Sequence, residues 1–591
     1  MKSKKKHDTG KKRDAFRQEL HRPFLCSALE RVERSSPDRV VLSGVLDSGM
    51  GAGVRPVRTA SKMSALVRGV ANFLDAHGVG QNDVVAVDAP MRWEVPVIWV
   101  SAQSLGARVL FFPTDRRLRQ AQGDVDVLEK AGARVCVFVE DPLDASFWRG
   151  SGRVVVYLDV ETPDGRRADD VLGWPVPEDV CSFTRAVETL GEVERQVRVG
   201  DESVAAMVYS QGAHQGVRQI SLSYAQLSSQ AEELASLMSL DVTSRVFVDM
   251  ASVQTVGLFV FAACLWVGCE FVCGVGRGGG MGGMEQVRPT HVFLRPGECV
   301  RCLDAIRRAP HGRLSQSRRM LELSLIKFRD RNTRAWLRWA SPVIARACIR
   351  PLRERYFPGV RMVVMYGNRF EPKAAEILSF LDLDVVNAFV MSEFGVVHWH
   401  RYKGEGGFLR NLEARIRGGV LSVRARRASQ AFVDSGDWVF EDAQCGLCAA
   451  RTQGVTLSSG ETVDTLPMCD ILRRHALIDD VFVFGAGRTY LTALVYLAPE
   501  ALRAFARAHR LPSDASFEVL AQNPGVYEAV RALVDAGNAM RRPAESIRKI
   551  AVLTVPLEAD PRILTPCGLA RYGEIERRYA SLIEGFYREN F

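Results

Sequence analysis

The chain has no apolar run long enough to cross a bilayer as a helix. Its most apolar stretch, VGLFVFAACLWVGCEFVC (Val256–Cys273), is broken at Glu270, short of the roughly 20 residues that a span requires, and is expected to be a helix buried against a sheet. A secretory signal is also missing, because the basic start MKSKKKHDTGKKRDAFRQE is not followed by an apolar core of about 7–15 residues. Residues 1–20 are instead expected to be a disordered basic arm, since little in them could offset the entropy of ordering. These absences predict a cytoplasmic protein, with peripheral contact at the inner membrane face left open. No nucleic-acid recognition motif accompanies the basic charge, so no nucleic-acid partner is expected. No internal repeat of about 20–50 residues is visible. The 13 cysteines fit a reducing compartment, where thiols act as small core residues. Two CxxC pairs, Cys299/Cys302 and Cys445/Cys448, are too far apart in sequence to read as one zinc site in preference to coincidence.

What is present is ordinary globular material: 47% apolar and 25% charged residues over a length of 591 that suggests two or three domains. The net charge of +9 is unevenly spread. Apart from the arm, the basic excess lies in residues 301–355, where arginines alternate with Leu323, Leu325, Phe328, Trp336 and Trp339. Two readings stand: a solvated amphipathic helix pair, or a segment that meets an anionic membrane surface.

From residue 25 to about 290, short apolar strands alternate with helical patterns. SKMSALVRGVANFLDAHGV predicts a helix stopped at Gly78; VVAVDAP, RVLFFP, ARVCVFVE and VAAMVY predict strands. That alternation implies a largely parallel sheet covered on both faces. After Gly404 the pattern changes to short alternating strands, and residues 467–591 read as a compact α+β unit with its own apolar pattern.

Several stretches in consistent order resemble one family. They are VAAMVYSQGAHQGVRQISLSYAQL, VVNAFVMSEFG, FVDSGDWVF, SSGETV and MCDILRRHALIDDVFVFGAGRTYLTALVYLAPEAL, and the family is the AMP-forming adenylate synthetases, especially the long-chain fatty acyl-CoA ligases. The resemblance implies an α/β fold: a large N-terminal domain of two α/β lobes plus a β subdomain, and a small mobile α+β C-terminal domain. On this chain the implied division is a basic arm (1–20), an AMP-binding domain (21–438), a hinge and linking hairpin (439–466) and a lid (467–591).

It further implies that a fatty acid or other carboxylate attacks the α-phosphorus of ATP, and that coenzyme A then displaces AMP. Such chemistry needs a phosphate cradle, a carboxylate for Mg²⁺, a carboxylate for the ribose and an aromatic plate for adenine. In the phosphate loop Ser210 and Gly212 match the family pattern, His214 could donate to a phosphate, and Arg218 stands at the lysine position. Gln211, Ala213, Gln215 and Val217 depart from it, so functional and relic readings of the loop both stand. Phe389 falls at the adenine plate, Ser392 where the family has Thr or Ser beside the nucleotide, Glu393 at the Mg²⁺-associated Glu, and Asp437 at the ribose carboxylate. Phe389 as a core aromatic and Asp437 as a turn residue are the plainer alternatives. Arg451, near the hinge, matches a phosphate contact only with a one-residue slip. In LTPCGLARYGEI, Leu569 occupies the place of the family's adenylating lysine, with Arg571 two residues beyond.

Three functions follow: an active acyl-CoA ligase, an inactive nucleotide- or acyl-binding descendant, or a scaffold at the membrane edge. Losing a cation preorganised in a dry site costs roughly two to three orders of magnitude in rate. Leu569→Lys should therefore raise pyrophosphate release from ATP with a fatty acid by up to about that factor. No rise would mean that the phosphate loop is also unserviceable.

Overall fold

The computed structural model describes residues 20–45, 57–89, 91–112, 136–139, 154–158, 181–191, 197–211, 217–249, 255–274, 287–294, 299, 350–367, 372–417, 420–426, 431–442, 446–450, 455–463, 465–473, 475–509, 511, 515–539, 541–556, 563 and 572–588. The basic arm and nearly all of the arginine-rich segment lie outside them, apart from the helix Arg350–Tyr356.

Two sheets dominate the large N-terminal part. The first has seven strands in the spatial order Cys181–Ser182, Val154–Tyr157, Cys136–Val139, Val84–Asp88, Arg108–Phe111, Val204–Gln211, Val217–Ser223. Every neighbouring pair is parallel except the last, an antiparallel hairpin. Its central strand VVAVD is buried at every position, as expected where helices cover both faces. The second sheet has nine strands, with Arg245–Asp249, His291–Leu294, Met362–Tyr366 and Asp384–Met391 running parallel before the chain turns back at Gly395–Arg401.

The helices follow from local chemistry. Ala60–Ala76 starts at Thr59, whose side chain accepts from the Lys62 amide, and Gly78 stands beyond its end at φ +80°, where glycine alone is unstrained. Tyr224–Leu237 opens with a capping box between Ser223 and Gln226. The apolar stretch Val256–Cys273 is not one helix, as its composition suggested. The helix Thr255–Val267 ends at Gly268, φ +80°, and Glu270–Gly274 becomes a strand of the second sheet. Glycine in the left-handed region supplies the stop that hydropathy cannot reveal.

One continuous core joins the facing sides of both sheets through these helices; Trp99, Phe111, Phe261 and Phe271 are among its buried side chains. A second core fills the other side of the nine-stranded sheet. The four-stranded antiparallel sheet formed by Leu412–Arg417, Val420–Ala425, Val433–Asp442 and Gly446–Ala450 packs into the first core through Leu412, Leu421, Val423, Val439 and Leu447.

The C-terminal unit has a three-stranded sheet, Ile478–Phe484, Leu491–Leu497 and Ile547–Val552, with a separate core on each face. Val455, Leu457 and Val463 join one of these cores. The proposed hinge segment 439–466 is thus divided: its first part completes the four-stranded sheet and its second part belongs to the C-terminal unit. Among the described residues of this stretch, Leu447 belongs to the first core and Val455 to the C-terminal one.

Candidate nucleotide site

The phosphate-type hairpin begins where Val204–Gln211 leaves the seven-stranded sheet at its carboxyl end. Tyr209 pairs with Gln219, Ser210 with Arg218 and Gln211 with Val217, so the backbones of the two candidate residues Ser210 and Arg218 lie opposite one another near the tip. Gly212 and His214, in the tip itself, lie outside the described residues. Burial pushes the Tyr209 phenol up to about 12, so it stays protonated at neutral pH. Its hydroxyl donates to Gln219 Oε1 at 3.4 Å. The hairpin runs directly into the helix Tyr224–Leu237. Ligands of open α/β sheets bind beyond such carboxyl strand ends.

The second candidate element is the turn between Asp384–Met391 and Gly395–Arg401. Ser392 is half-buried and Glu393 is buried. An ionised carboxylate out of water is costly unless partnered, and Glu393 does have interactions within the fold. Thr255, the first residue of Thr255–Val267, donates through Oγ1 to the Ser392 carbonyl oxygen at 2.7 Å. Gly395 has φ +67°, and a Cβ there would lie 2.5 Å from Phe259 Cδ2. The turn is therefore seated against the start of this buried helix. Sequence inspection missed Thr255, because nothing in its neighbourhood announces a hydrogen bond to a residue 137 positions away.

Phe389 differs from its expected part. Its side chain is 1% exposed and belongs to the main core, so in this conformation the ring offers no open face to a purine; stacking would require neighbouring segments to move. Asp437 lies in the strand Val433–Asp442, next to Trp438, whose backbone pairs with Val420. Its side chain is outside the described set, as are Arg451, Leu569 and Arg571. Tyr572, the residue after Arg571, is anchored between Phe482 and Phe484, with ring centroids 6.1 and 4.8 Å away.

Two histidines occupy the junction of the nine- and four-stranded sheets. His398 pairs across the hairpin with Phe389, is 5% exposed and meets Phe408 edge-on at 5.0 Å. A Cβ at Gly446 would come within 2.8 Å of His398 Cε1 and 2.6 Å of His400 Cβ, so the four-stranded sheet packs directly on this pair.

A cavity of about 450 Å³ opens among Cys26, Ser64, Val67, Val100 and Val197. It is not this site. Its wall includes Ser104, the last residue of its helix and close to the start of the strand Arg108–Phe111, hence at the opposite end of the parallel strands from the hairpin tip. Among the described residues, no group of three or more His, Cys, Asp or Glu could hold a metal ion, and no helix is long and apolar enough to cross a membrane.

Residues 29–417 match the family described as AMP-binding enzyme, and residues 453–590 match the AMP-binding enzyme C-terminal domain. The long-chain-fatty-acid–CoA ligase FadD15 of Mycobacterium tuberculosis is 28% identical over 187 residues, covering 30% of this chain and 31% of that protein; its Mycobacterium bovis counterpart matches equally. The matched part thus spans under a third of these curated relatives. Among solved structures, the adenylation domain of a carboxylate reductase from Mycobacterium chelonae has a TM-score of 0.66 at 16% identity, covering 96% of this chain and 91% of that one. A benzoate CoA ligase from Burkholderia xenovorans gives 0.62 at 13% identity, covering 93% and 99%. At such identities the likeness is one of fold alone.

Burial first, and the neighbouring His400 second, push the His398 imidazole down to about 4. An unfolded chain takes up this proton near pH 6.5, so between those values the unfolded state binds more protons. Stability is then full above about pH 6.5 and falls as pH drops toward about 4, by up to about 1.4 kcal/mol per unit. Urea unfolding at about pH 7, 6 and 5 should show this decline, and His398→Phe should flatten it. An unchanged pH slope in the variant would contradict the assignment.

Proposed function

The chain belongs to the AMP-binding enzyme family, and from that premise we propose that it is an acyl-CoA ligase-like protein that adenylates a carboxylate with Mg·ATP and passes the acyl group to coenzyme A. Family membership supports AMP-dependent carboxylate activation in general. The finer reading is carried by one observation: a hairpin with Ser210 opposite Arg218 and a turn carrying Glu393 stand at the carboxyl ends of the two sheets.

On this reading the first step forms a bond between a carboxylate oxygen and the α-phosphorus while the bond to pyrophosphate breaks. In the second, the thiol sulfur of coenzyme A bonds to the acyl carbon, its proton is lost to solvent or base, and AMP leaves. Ser210, Gly212, His214 and Arg218 cradle the phosphates, and the Arg218 guanidinium supplies a planar, permanently charged fork in place of a lysine ammonium. Glu393 would hold the Mg²⁺ that accompanies ATP, Ser392 would contact the nucleotide, and Asp437 would accept from the ribose hydroxyls. Phe389 borders the adenine only after the cleft opens. The C-terminal unit closes as a lid, bringing Arg451 and Arg571 toward the phosphates; Arg571 follows Leu569 by two positions in sequence.

The substrate proposed is a fatty acid, after the name of the curated relative, or another carboxylate. As a subordinate proposal, residues 301–355 meet an anionic membrane surface from the cytoplasmic side. Leu569 and the buried Phe389 favour a second reading, a descendant that binds nucleotide or acyl group without efficient turnover.

Calorimetry of the whole chain tests the nucleotide site itself. Mg·ATP should bind, and Glu393→Gln should weaken it by about tenfold or more while leaving adenosine affinity nearly unchanged, as expected for loss of one charged contact. Absence of binding to the wild-type chain, or equal weakening of both ligands, would overturn the assignment.

A further inference from the structure

We propose that Gln230 is a positioning residue, which holds the Glu393 turn at a fixed distance from the phosphate hairpin so that Mg²⁺ and triphosphate are recognised as one unit. The inference rests on the nucleotide-binding reading above and deepens it.

Gln230 lies within Tyr224–Leu237, the helix that issues directly from the hairpin, and is 2% exposed. Its Nε2 donates to the Val396 carbonyl oxygen at 2.5 Å, three residues past Glu393. Its Oε1 accepts from Asn411 Nδ2 at 2.8 Å. Asn411 stands just before the first strand of the four-stranded sheet, and its own carbonyl oxygen accepts from the Arg426 amide at 2.9 Å. One buried amide therefore ties together the helix of the phosphate hairpin, the hairpin of Glu393 and the sheet whose third strand carries Asp437.

The chemistry of the position supports this role over simple packing. Leu227, Ala231 and Leu234, on the same helix, are buried apolar residues, and a leucine or methionine could fill the same space. A buried amide is costly unless both its ends are bonded, and once bonded it fixes direction as well as distance, which apolar contact does not. The Glu393 turn gains two fixed points in this way. Thr255 holds the carbonyl oxygen of Ser392 on one side, and Gln230 holds that of Val396 on the other. Without the second point Glu393 remains attached but can swing relative to the hairpin. The loss should then fall on ligands that touch both elements.

The test compares Gln230→Met, which keeps length and removes both hydrogen bonds, with the wild-type full chain. Calorimetry would use Mg·ATP and, separately, adenosine, alongside thermal unfolding. Mg·ATP affinity should fall by about tenfold, with adenosine affinity within about twofold. A merely structural role would weaken both ligands together or lower the melting temperature alone, and either result would overturn the inference. If the variant folds poorly, Asn411→Ala keeps Gln230 but releases its Oε1, and should give the same selective loss at about threefold; no selective loss there would also overturn it. A wild-type chain that ignores Mg·ATP would overturn the functional reading and this inference with it. Unchanged Mg·ATP binding in the variant would overturn the inference alone.

Discussion

Thr255 donates a hydrogen bond from its hydroxyl to the carbonyl oxygen of Ser392, and this bond joins the start of the most apolar of the described helices to the turn that carries Glu393. The helix is buried from Thr255 through Leu265 and sits in the core shared by both sheets. Its position is set by aromatic packing that includes Phe261 against Phe271 and Trp99. Interiors packed at crystal-like density transmit such positions without slack. The turn thus inherits the rigidity of the core, and the cleft proposed for nucleotide depends on it. Phe259 pressing on Gly395 makes the same connection from the apolar side, because any side chain at that glycine would meet the ring.

How much of this could be read beforehand follows from the range of each interaction. Periodicity is local, so the helix Ala60–Ala76 and the strands Val84–Asp88, Arg108–Phe111 and Cys136–Val139 fall where the apolar patterns put them. The seven-stranded sheet, parallel but for its final hairpin, follows from the same alternation. The break of Val256–Cys273 into helix and strand was hidden, since Gly268 acts through backbone conformation and not through hydropathy. The division of 439–466 was hidden for another reason: Val439 and Val463 look alike in sequence but serve different cores.

The site was legible as residue types and not as geometry. Ser210 and Arg218 pair across an antiparallel hairpin and Glu393 lies in the turn after Asp384–Met391, and the roles given to them remain proposals. Phe389 could not be judged from sequence, because an aromatic plate and a core aromatic occupy the same kind of strand position; its 1% exposure sets it with the core in this conformation. Gln230 and Asn411 were beyond reach altogether, as the bonds that define them cross 166 and 181 positions of chain. Leu569 shows the converse: a single residue type that, on the proposed function, bears on the chemistry whatever surrounds it.

These parts make one physical claim, that a nucleotide lies between the phosphate hairpin and the Glu393 turn, both held by the same buried frame. Photolabelling of the full chain with 8-azido-ATP and Mg²⁺ tests it most directly. The account predicts label in the peptide Asp384–Arg401, lost when unmodified ATP competes. Label confined to other peptides, or label in that peptide that ATP does not displace, would contradict it.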